Sequence, residues 1–344
     1  MRYRPLGRTG IVVSEFCLGA MMLGEWGNTD ESECHRMVHS ALDAGINFID
    51  TADEYAWGGS EEIVGRALGK RRGEVVLATK FNHQMGSDLN NRGNSRRWII
   101  TAVEDSLRRL GTDYIDLYQA HRPDPDTDID ETLGALSDLI HQGKVRAIGS
   151  SAFPAEQLVE AQWVSERRGR ERFATEQLSY SILARQAEAA TLPTAERYGL
   201  GVLVFSPLNG GWLAGRYRRG EPAAPESRAA RHPAYFDHGD EAIAEQKFDL
   251  VEQLEVVAKE AGLSLLQLAL GFVVAHRAVT SAIIGPRTHE QLEEQLGAAD
   301  VRLTDDVLDR IDELVPAGRN VNPDDVGWSP PAVQDPLLRR RVPR

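Results

Sequence analysis

Cysteine is nearly absent: Cys17 and Cys34 are the only two in 344 residues. Two thiols cannot frame so long a chain with disulfides, and no CxxC pair is available for zinc or thiol exchange. A reducing, cytoplasmic setting is therefore expected. Long apolar runs are also missing. No stretch approaches the roughly 18 residues needed to span a bilayer. The basic start, Met1 to Gly10, lacks the apolar segment of a signal peptide. Positive charge is in short supply, with 39 Lys and Arg against 52 Asp and Glu, a net charge of −13. That balance argues against a nucleic-acid partner, whose phosphates call for clustered cations. Two motifs are missing as well. There is no GxGxxG, the mark of an open dinucleotide-binding sheet, and the first strand, Phe16-Cys17-Leu18, has no HxH of a metal-dependent barrel.

What is present is a repeating pattern in a chain that is 42% apolar, enough for a large core. After a short hairpin around Gly7 and Gly10, β-type runs alternate with amphipathic helices. The strands are Phe16–Leu18, Asn47–Asp50, Val75–Thr79, Ile115–Tyr118, Val145–Ile148, Thr175–Leu178, Val202–Phe205 and Ala282–Ile284. Between them lie helical faces such as Met37, Val38, Ala41 and Leu42, with Asp30 as an N-cap. Ser60 is expected to cap the second helix, and Thr288 to Gln291 to open the last barrel helix as a capping box. Eight strand-helix units in series predict an α/β fold, a single (β/α)₈ TIM barrel with an N-terminal hairpin and extra C-terminal helices, over residues 1–317. Residues 318–344, rich in proline, read as a non-globular extension. An open doubly wound sheet is the competing architecture.

In such barrels the chemistry sits at the C-terminal ends of the strands. The polar residues there are Asp50, Tyr55 just beyond it, Lys80 and His121. A phenol titrates near pH 10, too high for efficient acid-base work at neutrality. A cation beside it stabilises the phenolate, and Lys80 is the available one. Asp50 would keep Lys80 charged, and His121 would align a carbonyl oxygen. Taken singly, each residue has a plainer structural reading as cap, ion-pair partner or packing. Their placement on three successive strands favours protonation of an oxygen on which charge develops, as hydride addition to an aldehyde or ketone requires.

Phe48 to Tyr55 (FIDTADEY), Ala78 to Phe81 (ATKF), Tyr118 to His121 (YQAH) and Ser106 to Leu117 (SLRRLGTDYIDL) resemble the aldo-keto reductase superfamily. The likeness runs from about Leu6 to Leu314. The long segment after strand seven is most similar to bacterial reductases and potassium-channel β-subunits. The resemblance implies NADPH (NADP⁺) as cofactor, Tyr55 as general acid, Lys80 and Asp50 as its tuning pair, and His121 as the carbonyl-orienting group. It implies that Ser151 and Gln177 hold the nicotinamide amide and that Phe205 stacks on the ring. The pyrophosphate would lie along Ser206, Leu208 and Gly211, with Arg216, Ser227 and Arg228 closing over it. Gly285, Arg287, Gln291, Glu294 and Gln295 would take the adenosine end, Arg287 meeting a 2′-phosphate unless it is an ordinary solvated arginine. The family's Ser-Asn pair after strand five is Ser151-Ala152 here. Trp26 and Trp57 are candidate walls of the substrate pocket, with loop packing as their alternative.

The expected activity is thus reduction of a small carbonyl compound, from a sugar or xenobiotic, with no metal, nucleic acid or membrane involved. An oligomer is compatible with the sequence but not legible in it. A non-catalytic NADPH-binding or redox-sensing subunit on the same fold is the alternative. A metal-dependent hydrolase is disfavoured because His83 and His121 alone are too few ligands.

Overall fold

A computed structural model describes residues 1–225, 227–231 and 240–340, with the side chain of Arg228 outside the description. Strands β1 (Tyr3–Pro5) and β2 (Val12–Ser14) pair antiparallel as the expected hairpin. The repeating units follow. They run β3 (Phe16–Gly19), α1 (Glu31–Asp43), β4 (Phe48–Asp50), α2 (Gly59–Leu68), β5 (Val76–Phe81) and α3 (Arg96–Leu110). They continue with β6 (Ile115–Ala120), α4 (Ile129–His141), β7 (Val145–Ser151), α5 (Ala155–Arg168), β8 (Thr175–Ser179), α6 (Thr191–Tyr198) and β9 (Gly201–Phe205). After β9 come the short α7 (Arg228–Arg231), then α8 (Glu241–Glu260), α9 (Leu265–Ala275), β10 (Val279–Ile284), α10 (His289–Leu296) and α11 (Asp305–Leu314). Strands β3 to β10 form a closed parallel barrel, sealed where Ala282, Ile283 and Ile284 pair with Phe16, Cys17 and Leu18. No single described helix is long and apolar enough to cross a membrane.

Period-2 alternation sorts each strand between two cores. Phe48, Ala78, Leu117, Ala147 and Leu203 face inward and form an apolar layer with Cys17 and Ile283. Leu6 and Val13 of the hairpin segment join that layer and close the barrel floor. The hairpin turn fits tightly: a Cβ on Gly7, at φ +57, would lie 2.5 Å from the Ala174 carbonyl oxygen. Outward residues such as Ile49, Tyr118, Ile148 and Val204 join the larger shell beneath the helices. Because Phe48, Ala78 and Leu117 point inward, Asp50, Lys80 and Gln119, two residues further on, point inward as well, one layer nearer the mouth.

Two caps differ from expectation. Ser60 does not cap α2; Gly58, at φ +95, stands at that position with no side-chain cap. The chain before it turns through Ala56 (φ +49) and Trp57 (φ +55), which shifts the helix start to Gly59. Ser60 is buried instead, its hydroxyl donating to the Ala20 carbonyl at 2.8 Å and meeting Thr51 Oγ1 at 2.9 Å. At α10, Thr288 does accept from the Gln291 N–H, but Gln291 returns its side-chain oxygen to the Arg287 N–H (2.9 Å), one residue earlier than a capping box requires.

The stretch after residue 317 is not wholly an extension. The Val321 N–H donates to the Leu183 carbonyl (2.9 Å), and the Arg185 N–H to the Arg319 carbonyl (3.0 Å). Asn322 is buried. The buried ammonium of Lys247 donates to Asn209 (2.9 Å) and Asp325 (3.1 Å). A Cβ on Gly327 would stand 2.8 Å from the Phe205 ring. The first ten residues of the proline-rich segment are thus laid over the mouth beside β8 and β9.

Candidate active site at the barrel mouth

Asp50 ends β4, and the chain runs on through Tyr55 to a left-handed turn at Ala56 and Trp57. Left-handed geometry costs a non-glycine residue about 1–2 kcal/mol. Tyr55 stands immediately before that turn, with the Lys80 ammonium 4.9 Å from the centre of its ring. Lys80, fully buried in β5, donates to Asp50 Oδ2 at 2.6 Å, to the Thr51 carbonyl at 2.8 Å and to the Tyr55 hydroxyl oxygen at 3.3 Å. Its three protons thus have three acceptors. The other Asp50 oxygen accepts from the side-chain amides of Gln177 (2.9 Å) and Gln119 (3.2 Å). Gln119 fits because Gly149 faces it: a Cβ there would meet Thr175 Oγ1 at 2.1 Å and Gln119 Cγ at 3.3 Å.

The charges follow from this packing. Burial alone would drive Lys80 neutral, but the Asp50 carboxylate and the phenol oxygen outweigh it and hold the ammonium above its ordinary pKa. For Tyr55 the balance goes against the expectation from sequence. Burial raises its pKa, Asp50 and Glu54 raise it further, and Lys80 opposes them without reversing the sign. Tyr55 is therefore a protonated phenol at neutral pH, with an ammonium stationed where charge appears once the proton leaves. That is the state of a proton donor.

His121 lies just past β6, its ring edge-on to Tyr55 at 5.7 Å between centroids. Burial, with Arg122, Lys80 and His83 nearby, pushes its pKa well down, so the imidazole is neutral. Trp26 stands 6.0 Å from the Tyr55 ring and 6.1 Å, edge-on, from Trp57, which is 64% exposed. Trp26 thus flanks the phenol and Trp57 lies beyond it, whereas Trp212 is buried among Tyr217 and Phe248.

The residues expected for a dinucleotide lie at the ends of β7 to β10. Ser151 ends β7, and its buried hydroxyl has no hydrogen-bond partner. Phe205 ends β9, half-buried. Beyond it, Ser206 (φ +54), Asn209 (φ +47), Gly210 (φ +68) and Gly211 (φ +110) make a turn of left-handed residues around Leu208. Such turns can aim successive N–H groups into a concave anion cradle. Arg216 is exposed in the following loop. Ser227 is tied to its own chain: its buried hydroxyl accepts from the Ala230 N–H at 3.3 Å. Arg228 follows, its side chain outside the described residues. Gly285 and Glu294 are exposed after β10, and Arg287 is half-buried with no ion pair among the described residues. Gln295 is buried, with an unpartnered side-chain oxygen. Two orphaned polar groups, Ser151 and Gln295, at opposite ends of one row of loops fit an extended polar ligand. Gln291 and Gln177 are already engaged, the Gln291 oxygen by the Arg287 N–H and the Gln177 amide by Asp50.

Reasoning from sequence missed Glu54, Gln119 and Glu176. Period-2 spacing from Leu117 marks Gln119. Glu176, on β8 and facing outward, is buried, accepting from the Ser150 hydroxyl (2.5 Å) and the Phe153 N–H (3.0 Å). Burial pushes its pKa up to about 8. The folded protein thus keeps a proton that the unfolded chain releases above about pH 4.3. The resulting stability is fully present below that pH and is lost as pH rises toward about 8. Glu176→Gln should flatten this decline, so that the variant gains on wild type at pH 8 relative to pH 4. Urea unfolding at both pH values measures it; parallel curves would mean that Glu176 ionises normally.

The Aldo/keto reductase family profile matches residues 15–316. An uncharacterized oxidoreductase of Bacillus subtilis, YrpG, is 38% identical over 95% of this chain and 100% of its own length. Probable voltage-gated potassium channel β-subunits of Oryza sativa and Arabidopsis thaliana are 36% and 34% identical, each over 92% of this chain and 97% of their own length. On that match, over almost the whole barrel, this chain belongs to the aldo/keto reductase family and is an oxidoreductase of that class.

Proposed function

We propose that this protein reduces an aldehyde or ketone to an alcohol with NADPH, Tyr55 supplying the proton. One observation carries the reading: the Lys80 ammonium touches both Asp50 (2.6 Å) and the Tyr55 hydroxyl (3.3 Å). When bound, the nicotinamide supplies a hydride. The residues of the chain do the rest. Tyr55 gives its proton to the carbonyl oxygen, and Lys80 stabilises the phenolate that remains. Asp50, anchored by Gln119 and Gln177, keeps Lys80 charged. His121, neutral, donates a hydrogen bond that aligns the carbonyl. Trp26 and Trp57 form an aromatic wall suited to a small carbonyl compound.

The phosphorylated cofactor is favoured by Arg287, half-buried at the start of α10 with no carboxylate partner among the described residues. It would meet a 2′-phosphate by charge-assisted contacts. A carbonyl panel run with NADPH and NADH tests the activity and the preference together. Turnover of a generic aldehyde, faster with NADPH, is expected. The plant relatives, named as probable potassium channel β-subunits, favour a second reading, in which this chain is a regulatory subunit; such a subunit would bind NADPH without turning over carbonyls. NADPH binding with no oxidation across the panel would favour it.

Ala152 gives a further prediction. It sits at φ +58, with its N–H donating to the Gln177 carbonyl at 2.8 Å. Asparagine tolerates that left-handed geometry better than alanine, and adds an amide. Ala152→Asn should raise stability by up to about 1 kcal/mol and tighten NADPH binding. Thermal melting and fluorescence titration measure the two effects. Weaker binding together with a lower melting temperature would show the alanine to be the better fit.

A further inference from the structure

Glu54, His83 and His121 reach one point from the loops after β4, β5 and β6. Glu54 Oε2 is 3.2 Å from His83 Nδ1, and Glu54 Oε1 is 3.4 Å from His121 Nδ1. One donor atom from each residue lies within 4.8 Å of the other two. His121 Nδ1, which faces Glu54, is buried without a hydrogen-bond partner. His121 itself is only 4% exposed. Donors held at about 2.0–2.1 Å around a tetrahedral cation stand roughly 3.4 Å from one another. The three donor atoms lie within 4.8 Å of one another, so side-chain adjustment of about an ångström would bring them to that spacing.

We propose that Glu54, His83 and His121 form a binding site for a divalent transition cation of the zinc class. Two imidazoles and one carboxylate suit that class, whereas calcium and magnesium take oxygen donors. Three protein ligands leave a fourth position for water. A cation would bind the deprotonated carboxylate and the neutral imidazoles, so its affinity should rise with pH. The positive charges of Lys80 and Arg122 oppose a cation, which makes the site reversible. The coupling to carbonyl reduction rests on the function proposed above; the cation site itself does not. A cation on His121 Nδ1 confines the ring proton to Nε2, the form that donates a hydrogen bond.

The test uses the full chain without NADPH or carbonyl. Co²⁺ is titrated while its visible d–d absorption is followed, and Zn²⁺ is titrated by calorimetry. One equivalent should bind. His83→Ala and Glu54→Gln should each weaken it at least about tenfold, with melting curves like wild type. Absence of a Co²⁺ spectrum in the wild-type protein, or equal affinity in folded variants, overturns the site. Should a variant fail to fold, histidine ring NMR of the wild-type chain decides. Zn²⁺ should move the signals of two of the nine histidines, and a shift of others alone would overturn the site. A reductase that binds no Co²⁺, or a Co²⁺ binder that reduces nothing, separates this proposal from the one above.

Discussion

Tyr55→Phe should abolish carbonyl reduction while leaving NADPH binding nearly intact. The substitution removes one hydroxyl, the oxygen 3.3 Å from the Lys80 ammonium, and keeps the ring that packs against Trp26 and His121. A positioned general acid contributes roughly 10²–10⁴ in rate, so kcat/KM should fall by that factor, about 3–5 kcal/mol of transition-state stabilisation. The residues proposed to hold the cofactor lie in and after β7 to β10 and, among the described residues, none of them hydrogen-bonds the Tyr55 hydroxyl, so the dissociation constant should barely move. Steady-state kinetics with a reactive aldehyde and a fluorescence titration with NADPH provide the two readings. Turnover near wild type would mean that the proton comes from another group.

Lys80→Met should cost both activity and stability, and the double variant should separate them. Lys80 is fully buried and Asp50 nearly so, with 2.6 Å between their charges. Removing one member of a buried pair leaves the other desolvated and unpaired, at about 3–5 kcal/mol. Asp50 would keep only the amides of Gln119 and Gln177. Activity should fall as well, because the phenolate at Tyr55 loses its neighbouring cation and burial already raises the phenol's pKa. Asp50→Asn combined with Lys80→Met removes both charges and should recover most of the lost stability, since replacing a buried pair outright is often near neutral. It should recover none of the activity. Denaturant unfolding with parallel aldehyde kinetics gives the cycle. A double variant as unstable as Lys80→Met alone would locate the cost in packing, and a reactivated one would remove Lys80 from the chemistry.

Asp50, Lys80 and Gln119 illustrate how much of the site was legible. Each lies two residues beyond an inward apolar residue, so alternation alone turns all three toward the barrel axis. The eight repeats likewise reveal the barrel, because each strand and helix carries its own local period. The cap expected at Ser60 fails for a local reason too: the left-handed turn just after Tyr55 sets the start of α2 at Gly59. Ser151 and Gln295 were named through family likeness, and their unpartnered atoms became visible only in the folded chain.

The one-dimensional order of residues determined the number of barrel units, the inward face of each strand and the candidates Asp50, Tyr55, Lys80 and His121. The units and faces follow from hydrophobic spacing over a few neighbours, and the candidates are the polar residues at or just past the strand ends, both properties that a short window contains. Tertiary structure alone decided that burial outweighs Lys80 in setting the Tyr55 proton, that Glu54 joins His83 and His121, and that residues 318–327 cover the mouth beside Phe205. Each of these depends on distances across the closed barrel, between residues tens to more than a hundred positions apart. No local period records such distances; the closure of eight strands into one cylinder sets them.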